Sequence, residues 1–304
     1  MSTQHSVYRV LGCLGGLYEL ANASGARLFC RARGAFRHAD TRVLVGDFVR
    51  VAGDGEDVAI EEILPRRNAL IRPRMANLDV LIAVMAVREP TPVLDTLDKL
   101  LAICAHNGIE CALVLSKCDL ASEEEIEALA SVYRCAEYSV FPLSTQSKVG
   151  IDAFDAYLDR AMQGGRTVAF AGASGVGKST LLNAVFEGVC RETGSVSEKI
   201  GRGRHTTRDV HLFEGKGGYI ADTPGFSMLD FLRFDFFALN ELPATFPEVA
   251  RAQSGCRYAD CTHRREEECA VRRAVLCGDM AESRYASYCT LYDVLKTKKK
   301  NEYK

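Results

Sequence analysis

Residues 172–179 read GASGVGKS, directly after the apolar run TVAFA at 167–171 and directly before TLLNAVFEG at 180–188. The spacing is G-x-x-x-x-G-K-[ST], and its flanks predict a strand before it and a helix after it. Glycines let successive backbone N–H groups face inward, and the positive end of the following helix adds to them. A loop of this kind cradles phosphates. Gly172, Ala173, Ser174, Gly175, Val176 and Gly177 would line the cradle, with Thr180 opening the helix. Lys178 would reach the β and γ oxygens and Ser179 would ligate Mg²⁺. A plain glycine-rich turn with a chance lysine does not account for both flanks.

Working outward, the chain on the N-terminal side alternates between buried strands and amphipathic helices. LDVLIAVMAV from 78 is a continuous apolar run, as expected of a strand covered on both faces. VLDTLDKLLAICAHNG has helical spacing and stops at Gly108; CALVLS, EEEIEALASVYRCA, SVFPLS and IDAFDAYLDRAM continue the alternation up to TVAFA. The pattern predicts a parallel, doubly wound α/β sheet.

On the C-terminal side, YIADTPGF at 219–226 reads as a strand ending in D-x-x-G. Asp222 is expected to hold the Mg²⁺ shell through water, and the Gly225 amide to sense the γ-phosphate. The polar, glycine-rich stretch SVSEKIGRGRHTTRDVHLF lies between the two motifs. Thr206 or Thr207 would supply the second hydroxyl to Mg²⁺, and such a loop is ordered by the γ-phosphate and released on hydrolysis.

The base is read from SKCD, Ser116, Lys117, Cys118 and Asp119, after the strand CALVLS. This resembles N-K-x-D. The Asp119 carboxylate can accept from guanine N1–H and the 2-amino group, donors that adenine lacks, and a buried acceptor left unpaired rejects the wrong base. Lys117 can lie over the ring, and Ser144 in FPLSTQS fits a backing loop. Ser116 stands where the motif has Asn. The reader precedes the phosphate loop by about fifty residues in place of following it, so the elements are circularly permuted, as joining the old termini and cutting elsewhere permits. The cut after D-x-x-G sends the second switch straight into the C-terminal region.

The first seventy residues hold short β-like stretches, YRVLGCLGGLYEL, ARLFCRARG, RVLVGDFVRVAG and DVAIEEILP, separated by glycines and polar clusters. They predict a small barrel, OB-fold or SH3-like. RNALIRPRMAN, 67–77, reads as a linker, and KTKKKNEYK at the end as a solvated tail. The net charge of −2 conceals a division, +3 over residues 1–74, −9 over 75–250 and +4 over 251–304. Basic ends are the parts expected to meet a polyanion. Hydrophobic content of 47% is ordinary for a globular chain. No apolar run approaches the roughly 18 residues of a membrane span, and MSTQHSVYRV lacks a secretory pattern. The cytoplasm is the expected compartment.

Nine of the twelve cysteines are scattered singly, several within apolar runs such as Cys104 and Cys111. The other three crowd with a histidine as C-x4-C-x-H-x5-C: Cys256, Cys261, His263 and Cys269. Three thiolates and an imidazole complete a tetrahedral structural zinc site with no position open for water. Cys277 and Cys289 are second choices. About fifty residues with few large apolar side chains need such a staple. Arg257, Arg264, Arg265, Arg272 and Arg273 nearby could offer a phosphate-binding face, diluted by Glu266, Glu267 and Glu268.

Together VGDFV, ILPRRNALIRP, GASGVGKSTLLN, GRGRHTT, DTPGF and C-x4-C-x-H-x5-C resemble, over nearly the whole chain, the circularly permuted, ribosome small-subunit-dependent GTPases (RsgA-type). The resemblance implies an OB-fold over 1–72, a permuted GTPase over 73–234 and an α-helical zinc-binding domain over 235–304. It implies GTP hydrolysis with Mg²⁺, stimulated by the small (30S) subunit in its late maturation, contact with rRNA, one structural zinc, and a monomer. Phe226 follows D-x-x-G where many GTPases carry a water-orienting glutamine, so intrinsic hydrolysis should be slow. His205 is the candidate that the resemblance favours for that water; an RNA-binding loop histidine is the other reading. A permuted GTPase with another RNA client, and a non-hydrolysing RNA-binding scaffold, are the alternatives. Intact Lys178, Ser179 and Asp222 weigh against the scaffold.

Overall fold

The structure is a computed structural model that describes residues 6–37, 42–53, 55–186, 210–222 and 229–302. Contacts divide the described chain into two compact units, one drawn from 1–80, 158–170 and 188–226, the other from 81–157, 171–187 and 227–304.

In the first unit, β1 (Val7–Leu14), β2 (Leu17–Asn22), β3 (Arg27–Ala32), β4 (Phe48–Ala52) and β5 (Ala59–Ile63) close into a barrel in the order β1-β2-β3-β5-β4. Period-two alternation turns Val10, Tyr18, Leu20, Cys30, Val49 and Ile60 inward as its core. β3 pairs with β5 in parallel, and the other barrel pairs are antiparallel. That order is the OB-fold's, which settles what strand spacing left between two barrels. The expected linker at 67–77 is instead a small ordered hairpin, β6 (Ala69–Leu70) against β7 (Met75–Ala76). It holds because the Asn68 side chain donates to the Leu78 carbonyl (2.9 Å) and accepts from the Leu78 amide (3.0 Å) while Met75 and Ala76 are buried.

The remaining strands are β8 (Val80–Ala86), β9 (Glu110–Ser116), β10 (Ser139–Pro142), β11 (Thr167–Ala171), β12 (His211–Gly215) and β13 (Gly218–Asp222). Their sheet order is β10-β9-β8-β11-β13-β12. β10–β9 and β11–β13 are parallel, and β12 is antiparallel to β13. In the first unit Arg9 of β1 is buried and donates to the Gly165 carbonyl at 2.8 Å and to Thr167 Oγ1, with its guanidinium 4.5 Å above the Tyr219 ring. Burial lowers its pKa to about 10. One buried cation thus fixes the barrel against β11 and β13.

Every residue of β8 is buried, and in the second unit helix α1 (Leu94–His106) lays Leu97, Leu100, Leu101 and Ile103 into the core. α2 (Glu123–Arg134) starts at a capping box in which Ser122 Oγ accepts from the Glu125 amide and the Glu125 carboxylate accepts from the Ser122 amide. α3 (Ile151–Met162) leads through a short turn into β11, and α4 (Lys178–Val185) follows the glycine loop. After residue 229 the chain is helical: α5 (Pro247–Ala252), α6 (Ala270–Cys277) and α7 (Glu282–Glu302). The expected solvated tail is helix as far as Glu302, because Tyr288, Leu291 and Leu295 bury one stripe of α7 and Lys298 donates to the Phe234 carbonyl at 2.7 Å. Arg284 of α7 lies buried between Glu248 of α5 and Asp98 of α1, at 2.9 and 2.7 Å. Among the described residues no helix is long and apolar enough to cross a membrane.

Candidate functional site

The glycine loop grows from the end of β11. A Cβ on Gly172 would lie 2.2 Å from the Val84 carbonyl oxygen of β8, so no other residue fits there without moving the strand. Gly175 and Gly177 hold φ of 83° and 91°, and Gly177 caps α4 from the left-handed region. Ala173, Ser174 and Gly175 are exposed, Val176 is buried, and Ser179 and Thr180 are exposed on the first turn of α4. Lys178 folds back over the loop, donating from Nζ to the carbonyls of Gly172 (2.6 Å) and Ala173 (3.0 Å). Burial lowers its pKa, the expected effect on an ammonium held in a low-dielectric cradle.

Two loops distant in sequence meet this one. β9 ends at buried Ser116, whose Oγ donates to the Val176 carbonyl at 2.6 Å, with the Met85 carbonyl at 3.3 Å. The chain then turns through Lys117 at φ 58° into a short helical turn over Cys118–Leu120. Lys117 Nζ donates to the Glu89 carbonyl, and the Cys118 amide donates to the Leu143 carbonyl at 3.2 Å. Asp119 accepts from Ser144 Oγ; Ser144 is buried, and its Oγ accepts from the amides of Gln146 (3.2 Å) and Ser147 (3.1 Å). The loops around 116–119, 144–147 and 172–178 therefore join in one hydrogen-bonded cluster. The tie from Ser116 to Val176 is the part that motif reading missed, because a serine in an asparagine position looks like a loss.

Asp222 is the last residue of β13, opposite His211 in the antiparallel ladder. His205, Thr206, Thr207, Gly225 and Phe226 lie outside the described residues.

The cysteine cluster is assembled in the second unit. Ligand atoms of Cys256, Cys261, His263 and Cys269 all lie within 4.8 Å of one another. His263 Nδ1 is 3.5 Å from Cys256 Sγ and 3.6 Å from Cys269 Sγ, and the two sulfurs are 3.9 Å apart. A tetrahedral zinc with Zn–S of about 2.3 Å and Zn–N of about 2.0 Å requires such separations, roughly 3.5–3.8 Å. The donor set fits zinc. Cys277 and Cys289 stand outside this cluster. The amides of Ala270 and Arg272 donate to Cys256 Sγ (3.3 Å) and Cys269 Sγ (3.5 Å), and Tyr285 donates to the His263 carbonyl (2.8 Å). Glu266, which composition treats only as a diluting charge, clasps the ligand loop by accepting from the Thr262 amide and hydroxyl and the Arg264 and Arg265 amides. Desolvation opposes its ionisation, yet these bonds, led by Thr262, hold its carboxyl far below the usual range. Of the nearby arginines, Arg257 pairs with Glu268, Arg264 with Asp293, and Arg272 donates to the Glu266 carbonyl.

Comparison with known proteins agrees with this geometry. The RsgA GTPase family matches residues 63–232, and the RsgA N-terminal domain matches 9–60. Small ribosomal subunit biogenesis GTPase RsgA of Moorella thermoacetica is 44% identical over 279 residues, covering 91% of this chain and 92% of its own. Its namesake in Clostridium beijerinckii is 37% identical, covering 97% and 99%. Among solved structures, YloQ, a circularly permuted GTPase, superposes with a TM-score of 0.77 at 31% identity over 98% of each chain. YjeQ from Thermotoga maritima gives 0.78 at 31% identity over 95% of this chain and 98% of its own. With its loops joined in permuted order on a doubly wound sheet behind an OB-fold barrel, the chain belongs to the RsgA GTPase family.

Proposed function

We propose that this protein hydrolyses GTP on the small ribosomal subunit late in its biogenesis and uses hydrolysis to time its own release. The observation that carries the reading is the bond from Ser116 Oγ to the Val176 carbonyl, which ties a base-reading loop to a phosphate loop 60 positions later in the chain. Asp119 reads guanine from the position where Ser144 orients it, and Lys117 covers the ring. Gly172, Ala173, Ser174, Gly175, Val176, Gly177 and Thr180 surround the phosphates. Lys178 exchanges its two loop carbonyls for phosphate oxygens, a charge-assisted bond that strengthens as negative charge develops. Ser179, Asp222 and one of Thr206 and Thr207 hold Mg²⁺, which when bound neutralises phosphate charge. His205 orients the attacking water, and the Gly225 amide senses the γ-phosphate.

The division into an OB-fold (1–72), permuted GTPase (73–234) and zinc domain (235–304) assigns rRNA contact to the basic ends and switching to the acidic middle. Cys256, Cys261, His263 and Cys269 hold one structural zinc. The reading places the protein in the cytoplasm as a monomer. Cosedimentation of the full chain with purified 30S subunits tests client and switch together. Pelleting with a non-hydrolysable GTP analogue and release in GDP is expected; equal pelleting in both nucleotides, or none, overturns the reading.

A further inference from the structure

The barrel carries a seat for one residue of β12. Gly12 of β1 stands opposite Glu19 of β2, next to a register shift between Val10 and Gly12. A Cβ at Gly12 would lie 2.5 Å from His211 Cδ2, although its backbone conformation would accept any residue. The imidazole lies over that bare backbone, and its Nε2 is 3.0 Å from Glu19 Oε2. A carboxylate only accepts, so Nε2 is the protonated nitrogen. Nδ1 is buried without a partner among the described residues. Glu19 Oε1 also takes Arg27 of β3 at 3.0 Å, and Arg27 reaches Glu214, further along β12, at 3.5 Å. The hydrogen bond to His211 is the main reason that the Glu19 carboxyl lies below its usual range.

β12 begins at His211, four residues after Thr207, and His211 stands directly opposite Asp222 in the β12–β13 ladder. Directly opposed antiparallel residues are the closest pairs that a sheet offers. Arg9, three positions before Gly12 on β1, also contacts Gly165 ahead of β11 and Tyr219 of β13 in the same unit, so β1 touches this ladder at two places. We infer that His211 is a positioning residue for GTP hydrolysis: seated between Gly12 and Glu19, it carries the barrel's engagement with a partner to the strand that bears Asp222. This rests on the proposed function, in which Asp222 serves Mg²⁺ and the small subunit stimulates turnover.

GTP hydrolysis by the full chain, with and without purified 30S subunits, tests it in Glu19→Gln, His211→Gln, their double variant and Gly12→Val, whose side chain takes the imidazole's place. Each single change lowers the stimulated kcat roughly tenfold, leaving unstimulated rate and KM for GTP within about twofold, and the double variant loses no more than either single one. A stimulated kcat that stays at the wild-type value, or losses that multiply in the double variant, overturns the inference. Hydrogen exchange without subunits is the second readout, and it decides alone if the wild type is not stimulated, an outcome that would sink the functional reading. Protection of residues 7–22 should rise in the GTP analogue relative to GDP, and His211→Gln should abolish that difference. The same exchange in both nucleotides, or a difference that survives in His211→Gln, overturns the coupling.

Discussion

Ser116 compensates for the missing motif asparagine by length: a hydroxyl on a short stem reaches the Val176 carbonyl because β9 ends directly against the phosphate loop. Removing it in Ser116→Ala leaves that buried carbonyl without its donor, a cost of about 1–3 kcal/mol that should raise the Kd for guanine nucleotides roughly tenfold. Titration with fluorescent GDP measures it, and an unchanged Kd would show that the tie carries no weight. On the proposed reading Asp119 acts on the base itself. Asp119→Asn replaces an acceptor with a donor amide, so guanine affinity should collapse and xanthine nucleotides, with a carbonyl in place of the 2-amino group, should gain in competition binding. Glu19 gives a pH dependence with a definite sign. Its folded pKa is depressed, chiefly by the hydrogen bond to His211, so the stability it contributes is present above the unfolded glutamate pKa and disappears as pH falls through the folded one. Chemical denaturation should therefore separate wild type from Glu19→Gln near neutral pH, with the gap starting to close only as pH falls below the ordinary glutamate value of about 4.3. A difference that grows on acidification contradicts this.

Among the elements, the cysteine cluster has the most to lose. α6 and the start of α7 hang on the ligand loop through the Ala270 and Arg272 amides and Tyr285. Structural zinc contributes about 10–16 kcal/mol of apparent binding free energy in isolated modules, far above the worth of those bonds. Emission spectroscopy should find one zinc per chain, and chelation or Cys269→Ser should cost helical circular dichroism. A metal-free protein with unchanged helicity would remove the zinc. Elements of this kind are legible in sequence because their chemistry is local: GASGVGKS, DTPGF, SKCD and C-x4-C-x-H-x5-C each announce themselves within about fifteen residues. The barrel strands were legible as short β-like stretches between glycines and polar clusters, but their closure through a parallel β3–β5 pair was not, since such stretches carry no partner information. KTKKKNEYK is solvent-exposed at Lys296, Lys299 and Lys300, as its charge predicts, but charge does not predict the absence of helix: the lysines continue α7 past its last buried leucine. The hairpin at 67–77 misled because two asparagine side chains, invisible to pattern, satisfy the backbone there.

At the scale of the whole chain, long-range polar contacts fix each unit, and none is legible from spacing. Arg9 does so in the first unit, and the buried Arg284–Glu248–Asp98 group in the second, where Arg284 also lies 4.8 Å from the Phe246 ring. Burial raises the pKa of Asp98 even beside the guanidinium. Arg284→Ala strands two carboxyls and should cost about 3–5 kcal/mol in denaturant unfolding, while replacing all three with apolar residues of similar volume should recover most of it. Failure of the single change to destabilise would contradict the burial. On the proposed reading the chain presents its guanine reader, backing loop, phosphate loop and D-x-x-G strand in shuffled order. Equilibrium titration of the purified protein with GTP and with ATP, in Mg²⁺, tests most directly whether that order closes into one guanine-selective pocket. GTP should bind with ATP weaker by roughly a hundredfold or more, because Asp119 has no donors to meet on adenine. Equal affinity for the two, or binding of neither, would contradict it.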